Sequence, residues 1–337
     1  MLKMGRRLAA ASVAGLLAAS ALGAGALGAD REDFRRPDAI PFPEDAPYSP
    51  LTATLGKMLY FDPRLSGAQN MSCASCHDPS FGWETPVERA VGGLNVPLGR
   101  HAPTILNMAW VAPYFWDGRA ASLEEQAAGP ITAPAEMNAH LDEVVERLRA
   151  ITDYREGFER AFPGEGLTED TLLAAIATFE RTVVSGWAPF DRWVEGDEAA
   201  ISEDAKRGFA LFTGKAMCAD CHSGWNMTDN RFHDIGLPTE DVGRAAVEPG
   251  DPLARHAFKT PGLRDIAHRA PFMHTGEVRD LESVIFHYMS GGIERPSLSP
   301  LMRPFDLTDA EIAELEAFLE TLTAEDAAVP SPILPTN

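Results

Sequence analysis

Residues 73–77 read CASCH and residues 218–222 read CADCH, and these two stretches hold all four cysteines of the 337-residue chain. Two thiols one helical turn apart can each add to a vinyl group of a haem, and the histidine that follows is placed to become the proximal iron ligand. A redox dithiol or half of a zinc site also uses paired cysteines, but neither needs a histidine directly after the second one. Neither reading accounts for the pattern occurring twice with no cysteine left over. The motifs therefore point to two covalently bound c-type haems, on Cys73, Cys76 and His77 and on Cys218, Cys221 and His222, with His77 and His222 as proximal ligands.

A second repeat surrounds the first. At an offset of 158, HAPTILNMAWVAPYFWDGRAASLEEQ (101–126) lies over KTPGLRDIAHRAPFMHTGEVRDLESV (259–284). Pro103, Ala109, Pro113, Gly118 and Leu123 then fall on Pro261, Ala267, Pro271, Gly276 and Leu281. The haem motifs themselves repeat at 145, so the second half carries about thirteen additional residues between its two blocks. Such self-similarity is the mark of a duplicated domain, and each copy becomes a reference for the other.

The rest of the chain reads as helix, and no strand pairs stand out. Ser49-Pro50 opens an apolar-periodic stretch through Leu55, Met58 and Leu59; Val144, Val145 and Leu148 form one face of another. Thr168 precedes a helix through Leu172, Ile176 and Phe179, Ser202 caps one ending near Gly214, and Thr308 with Glu311 makes a capping box for the last. The fold class is all-α: two cytochrome c-like haem domains related by internal duplication, the first over residues 30–180 and the second over 181–337, with a junction around 165–200.

The first residues carry Lys3, Arg6 and Arg7, an apolar run from Leu8 to Leu27, and small residues at Gly28 and Ala29. That order is a secretory signal peptide over residues 1–29, cleaved near Ala29, which predicts a periplasmic protein with no membrane span after cleavage. Export also suits haem attachment outside the cytoplasm. The formal net charge of −21 repels nucleic acid and anionic lipid, and it would steer a partner with a basic face toward the protein.

The two copies differ where it matters. In the second copy, LESVIFHYMSGG (281–292) offers His287, Tyr288 and Met289 as sixth iron ligands; neighbouring helical residues point about 100° apart, so only one of them can face the iron. By the offset, position 288 falls on Pro130 of the first copy, and proline cannot ligate iron. The expectation is one closed haem and one open haem. Gln126 and Glu136 lie on either side of Pro130 and could move a proton between the two oxygens of a peroxide.

These residues resemble the bacterial di-haem cytochrome c peroxidases and their relative MauG, the di-haem enzyme of methylamine dehydrogenase maturation. FWDGRAASLEEQAAGPITAPAEM (115–137) is similar to that family's first-haem segment, and TPGLRDIAHRAPFMHTG (260–276) to its second. The resemblance implies catalytic roles for Glu136 as the acid–base group, for Gln126 in the distal pocket, and for Trp116 as an electron relay between the haems. Tyr288 falls where the peroxidases place a ligating methionine and MauG a ligating tyrosine, a ligand that favours oxidised iron. Gly93 stands where many family peroxidases have a loop histidine that closes the first haem. His101 replaces an asparagine that binds an inter-haem calcium, whose other ligands would be the carbonyls of Arg269 and Pro271, so calcium is the one further cofactor implied. Ala216 stands where MauG has a surface tryptophan that draws electrons from its protein substrate. His274 matches a family histidine beside the second haem and reads as structural; Trp83 and Trp225 are expected to pack on the porphyrins.

The sequence reading is thus a periplasmic di-haem peroxidase that reduces hydrogen peroxide to water at the open His77 haem. Electrons would come from a small cytochrome c or cupredoxin, through the Tyr288-ligated His222 haem and Trp116. The alternatives are MauG-like, peroxide-dependent oxidation of residues in a partner protein, and a non-catalytic di-haem electron carrier.

Overall fold

The computed structural model describes residues 30–325 and 329–336, so the expected leader at 1–29 lies outside the described residues. The first half contains α1 (Pro50–Tyr60), α2 (Leu123–Thr132), α3 (Leu141–Arg149), α4 (Thr152–Ala161) and α5 (Glu169–Thr182). The second contains α6 (Pro189–Val194), α7 (Glu203–Thr213), α8 (Leu281–Ser290) and α9 (Asp309–Glu320). The only strands among the described residues are β1 (Phe232–His233) and β2 (Phe258–Lys259), an antiparallel pair with Phe232 opposite Lys259. The all-α expectation holds.

The helices start where side chains can satisfy their free N–H groups. Ser49, Ser122, Thr168, Ser202, Asp280 and Thr308 each accept a hydrogen bond from a backbone N–H three residues on. Ser122 and Asp280, 158 residues apart, start α2 and α8.

Each half is closed by a crossing of its first and last long helices at a glycine. A Cβ on Gly56 of α1 would stand 1.9 Å from the carbonyl oxygen of Ala175 and 2.8 Å from Cβ of Phe179 on α5. A Cβ on Gly208 of α7 would meet Glu314 O at 1.9 Å and Phe318 Cβ at 2.8 Å on α9. The pair α1/α5 is therefore matched by α7/α9, residue for residue. One core gathers Leu59, Leu148, Tyr154, Phe158 and Leu172; the other gathers Phe190, Phe212, Leu315 and Phe318. Phe34, from the first described segment, packs edge-on against Phe190 and Phe209 of the second core.

The repeat at 158 is visible in the backbone. Asn107 and Asp265 are both left-handed (φ 62° and 57°), as are Gly118 and Gly276 (φ 68° and 67°), and Ala112-Pro113 and Ala270-Pro271 are both cis. Bridges Tyr114↔Ala120 and Phe272↔Val278 close the two loops identically. These loops carry the halves' mutual contacts. Asn107, fully buried, donates from Nδ2 to Oδ1 of Asn226 at 2.9 Å, while Arg100 joins Asp117 of its own half to Asp241 of the other at 2.6 Å each.

Candidate functional site

Each half encloses a cleft beside its CxxCH turn. The first, about 1730 Å³ and open to solvent, is lined by Cys73, Cys76 and His77 together with Gln126, Pro130 and Glu136. The second, about 1500 Å³, is lined by Cys218, Cys221 and His222 together with Lys259, His274 and Tyr288. Both lining surfaces are mainly apolar.

The residues present fit a haem in each. The four cysteines are unpaired thiols. His77 Nδ1 lies 2.7 Å from the carbonyl of Pro103 and His222 Nδ1 lies 3.0 Å from that of Met227. A proton on Nδ1 fixed in this way leaves the lone pair on Nε2 for a metal. In the second cleft the ammonium of Lys259 is buried against the carbonyl of Pro113, and burial pulls it down to about 7. A buried amine facing a cleft, with no acidic partner among the described residues, suits a group whose carboxylates would hold it charged. The protein thus holds two covalent c-type haems.

Around the first cleft, Pro130 sits inside α2 without an N–H to give to the helix, and α2 ends two residues later. The chain then folds back, with Met137 N donating to Pro130 O and Ala139 N to Ile131 O. This return brings Glu136 to the cleft. A small hairpin braces it: Gly92 N donates to Val96 O, and Gly93 N donates to Glu136 O at 2.7 Å. A Cβ on Gly92 would meet Ala135 O at 1.7 Å, and one on Gly93 would meet Glu136 O at 2.9 Å. The hairpin's role in placing Glu136 was not legible in the sequence. Glu136 is half-buried, and burial raises its carboxyl above the usual carboxylate range, with Arg119 pulling the other way. Gln126 lies one turn before Pro130 and lines the same cleft; its counterpart by the offset, Val284, lines the second cleft and is apolar.

In α8 the three adjacent candidates separate. Tyr288 lines the second cleft. His287 turns away, with Nε2 2.8 Å from the carbonyl of Ile235, and Met289 packs against the second core. Burial, with Cys221 and Cys218 nearby, pushes the Tyr288 phenol up.

Among the described residues Trp116 alone lines both clefts. Its indole N–H donates to His101 O at 2.8 Å, its carbonyl accepts from Lys259 N at 2.8 Å, and its ring lies 6.3 Å from that of His274. The turn that follows is gripped by the second half, since Arg244 donates to the carbonyls of Asp117 and Gly118 at 2.8 Å.

Two expectations change. Trp83 and Trp225 line neither cleft. Trp83 packs edge-on among Tyr60, Phe61 and Phe179, and Trp225 against Trp110 and under the guanidinium groups of Arg36 and Arg264. Both indoles are taken up by aromatic and cation contacts behind the haem turns. The calcium implied by the resemblance does not fit the side chains at His101. That imidazole is buried 3.4 Å from Glu84, whose carboxylate also takes Arg269 at 2.7 Å. Burial pushes Glu84 up, but Arg269 and His101 outweigh it and hold the carboxyl below its ordinary value. A carboxylate already bound by a guanidinium is not the oxygen cage a calcium ion takes. Ala216 is buried, with its neighbours Met217 and Cys218 at the second cleft.

Two clefts, two CxxCH turns and a shared tryptophan define a di-haem c-type oxidoreductase. Residues 50–199 match the family described as di-haem cytochrome c peroxidase, and residues 205–323 match cytochrome c. The chain is 54% identical to the methylamine utilization protein MauG of Methylorubrum extorquens, over 92% of this chain and 88% of that one. It is 38% identical to the cytochrome c551 peroxidase of Nitrosomonas europaea, over 85% and 84%. The crystal structure of a MauG-like protein associated with microbial copper homeostasis superposes with a TM-score of 0.79 at 34% identity, covering 86% of this chain and 95% of that one. The chain belongs to the di-haem cytochrome c peroxidase/MauG family, and it is a redox enzyme of peroxide chemistry. Among the described residues no helix is long and apolar enough to cross a membrane.

Proposed function

We propose that this protein catalyses MauG-like, peroxide-dependent oxidation of residues in a partner protein. The observation that carries the reading is the contrast between the clefts: Pro130 at the first, and at the second Tyr288, alone of its three candidates. The higher identity to a MauG sequence than to a cytochrome c551 peroxidase supports the same choice.

When bound, the two haems supply one iron at which the peroxide O–O bond is broken and a second that stores or relays electrons. His77 and His222 would hold those irons, each oriented by its Nδ1 contact to a backbone carbonyl. Pro130 leaves room for peroxide. Burial raises the proton affinity of Glu136, which makes its carboxylate a better base for taking a proton from one peroxide oxygen and returning it to the other. Gln126 orients the peroxide by hydrogen bonding. Tyr288 closes the second pocket and favours its oxidised state. Trp116, bordering both pockets, is the relay between them. Each peroxide takes two electrons and two protons and leaves as two waters, so a two-electron loss from the partner balances one turnover. The charged, apolar and small-residue order of residues 1–29 supports a periplasmic reaction.

The expected peroxidase fed by a small cytochrome c or cupredoxin is the second reading. Buried Ala216, where MauG has a surface tryptophan, favours it. A competition assay separates the two: limiting peroxide is added to the purified enzyme with a methylamine dehydrogenase precursor and, separately, with a reduced small cytochrome c. Oxidised side chains in the precursor, seen by mass spectrometry, with slow cytochrome oxidation support the MauG-like reading. Steady cytochrome turnover with an unmodified precursor overturns it.

A further inference from the structure

Glu180 is a carboxyl the mechanism above does not use. It sits in the last full turn of α5, is 5% exposed, and lines the first cleft. Its Oε2 is buried without a hydrogen-bond partner. The adjacent Arg181 does not pair with it but with Glu124 of α2, at 2.9 Å.

The duplication shows what this position ordinarily holds. The two glycine crossings align Ala175 and Phe179 of α5 with Glu314 and Phe318 of α9. Glu180 then falls on Leu319, 7% exposed and lining the second cleft, and Ile176 falls on Leu315, which also lines it. One haem pocket has a leucine and the other an acid at the same place on the same helix. Burying a carboxyl without a partner is costly, and the second domain shows that the fold does not need it.

We propose that Glu180 is the redox-linked proton carrier of the first haem pocket: it takes up one proton from solvent when an electron enters that pocket and releases it when the electron leaves. Uptake turns the carboxylate into a neutral acid, so the added electron is matched by one added proton and the buried pocket's net charge is unchanged. The groups facing it are Arg181 beside it, Glu124 from α2, Tyr114 from the loop before α2, Tyr60 from α1 and Cys73 from the haem turn. Burial is the largest influence and pushes Glu180 up to about 8, with Arg181 lowering it and Glu124 raising it. Glu136 serves a different edge, being the carboxylate that acts on Cys76. Proton storage near the haem also deepens the peroxide reading on which it rests, because two protons are consumed for each peroxide.

The test is spectroelectrochemical titration of the haem-loaded protein across neutral and alkaline pH, for wild type, E180Q and E180L. Above about pH 8, where Glu180 is ionised before reduction, the first haem's midpoint should fall with rising pH, approaching about 59 mV per unit, the one-electron equivalent of a tenfold change. E180Q and E180L should lose that slope, and any slope of the second haem, whose cleft holds Lys259, should be the same in wild type and both variants. A wild-type first haem with no slope, or an unaltered slope in both Glu180 variants, would overturn the proposal. If neither variant folds, redox-induced infrared difference spectra of wild type decide: a protonated-carboxyl C=O band gained on reduction supports it, and its absence refutes it. Failure of these signals with normal peroxide consumption sinks only this inference, whereas a protein inert to peroxide sinks the functional reading.

Discussion

Replacing Glu180 by leucine, the residue at the matching place in the second domain, should change how folding stability depends on pH. The sign follows from where the proton sits. Below about 4.5 the carboxyl is protonated in both the folded and the unfolded chain, so pH makes no difference through this group. Between 4.5 and about 8 the unfolded chain releases the proton while the folded chain keeps it, and wild-type stability falls as pH rises. Above about 8 the loss is complete. At roughly 1.4 kcal/mol per pH unit, that span amounts to on the order of 4–5 kcal/mol of stability absent at alkaline pH. Glu180→Leu removes the group, so the variant should gain on wild type progressively from pH 5 to pH 9. Guanidinium unfolding of the haem-loaded proteins at pH values across this range measures it. Parallel stability profiles for wild type and variant would refute the reasoning, because the carboxyl would then be as easily ionised inside the fold as outside.

Three further outcomes are expected. Glu136→Gln should slow the reaction with peroxide by about 10²–10⁴-fold, the usual worth of a positioned acid–base group, while leaving the resting absorption spectrum unchanged; stopped-flow mixing with peroxide reads both. Trp116→Phe should slow electron exchange between the haems with both still attached, at a stability cost of about 1 kcal/mol for the lost hydrogen bond to His101 O, measurable by flash reduction of one haem and by thermal unfolding. Gly208→Ala should destabilise by at least 1–3 kcal/mol, since its Cβ would stand 1.9 Å from Glu314 O and α7 and α9 would have to separate, with a lowered Tm in calorimetry.

Much of this was legible in the sequence because the deciding chemistry is local. A CxxCH needs only five residues to declare a haem, and the cap residues Ser49, Thr168, Ser202 and Thr308 declare helix starts within a turn. The duplication then made the difference between Pro130 and Tyr288 visible without any structure. What stayed hidden depends on long-range packing. Gly56 and Gly208 read in sequence as weak points of helices, and only the crossing with α5 and α9 shows why no side chain fits there. Glu180 reads as one more polar residue at a helix end; its burial follows from the packing of α5 beside the haem turn. Trp83 and Trp225 follow their haem motifs closely in sequence, yet the aromatic partners that take them come from α1, α5 and the loop at Trp110. The three candidates at 287–289 could be reduced to one only by seeing His287 held by Ile235 O and Met289 held in the core.

The most direct test of an open first pocket and a tyrosine-closed second one is low-temperature EPR of the ferric protein as purified, without reductant, before and after one equivalent of hydrogen peroxide. One high-spin and one low-spin ferric signal, both lost promptly on adding peroxide, are the expected result, with the low-spin signal converted to high-spin in Tyr288→Phe. Two low-spin signals that do not respond to peroxide would contradict it, since some ligand other than those around Pro130 would then be closing the first haem.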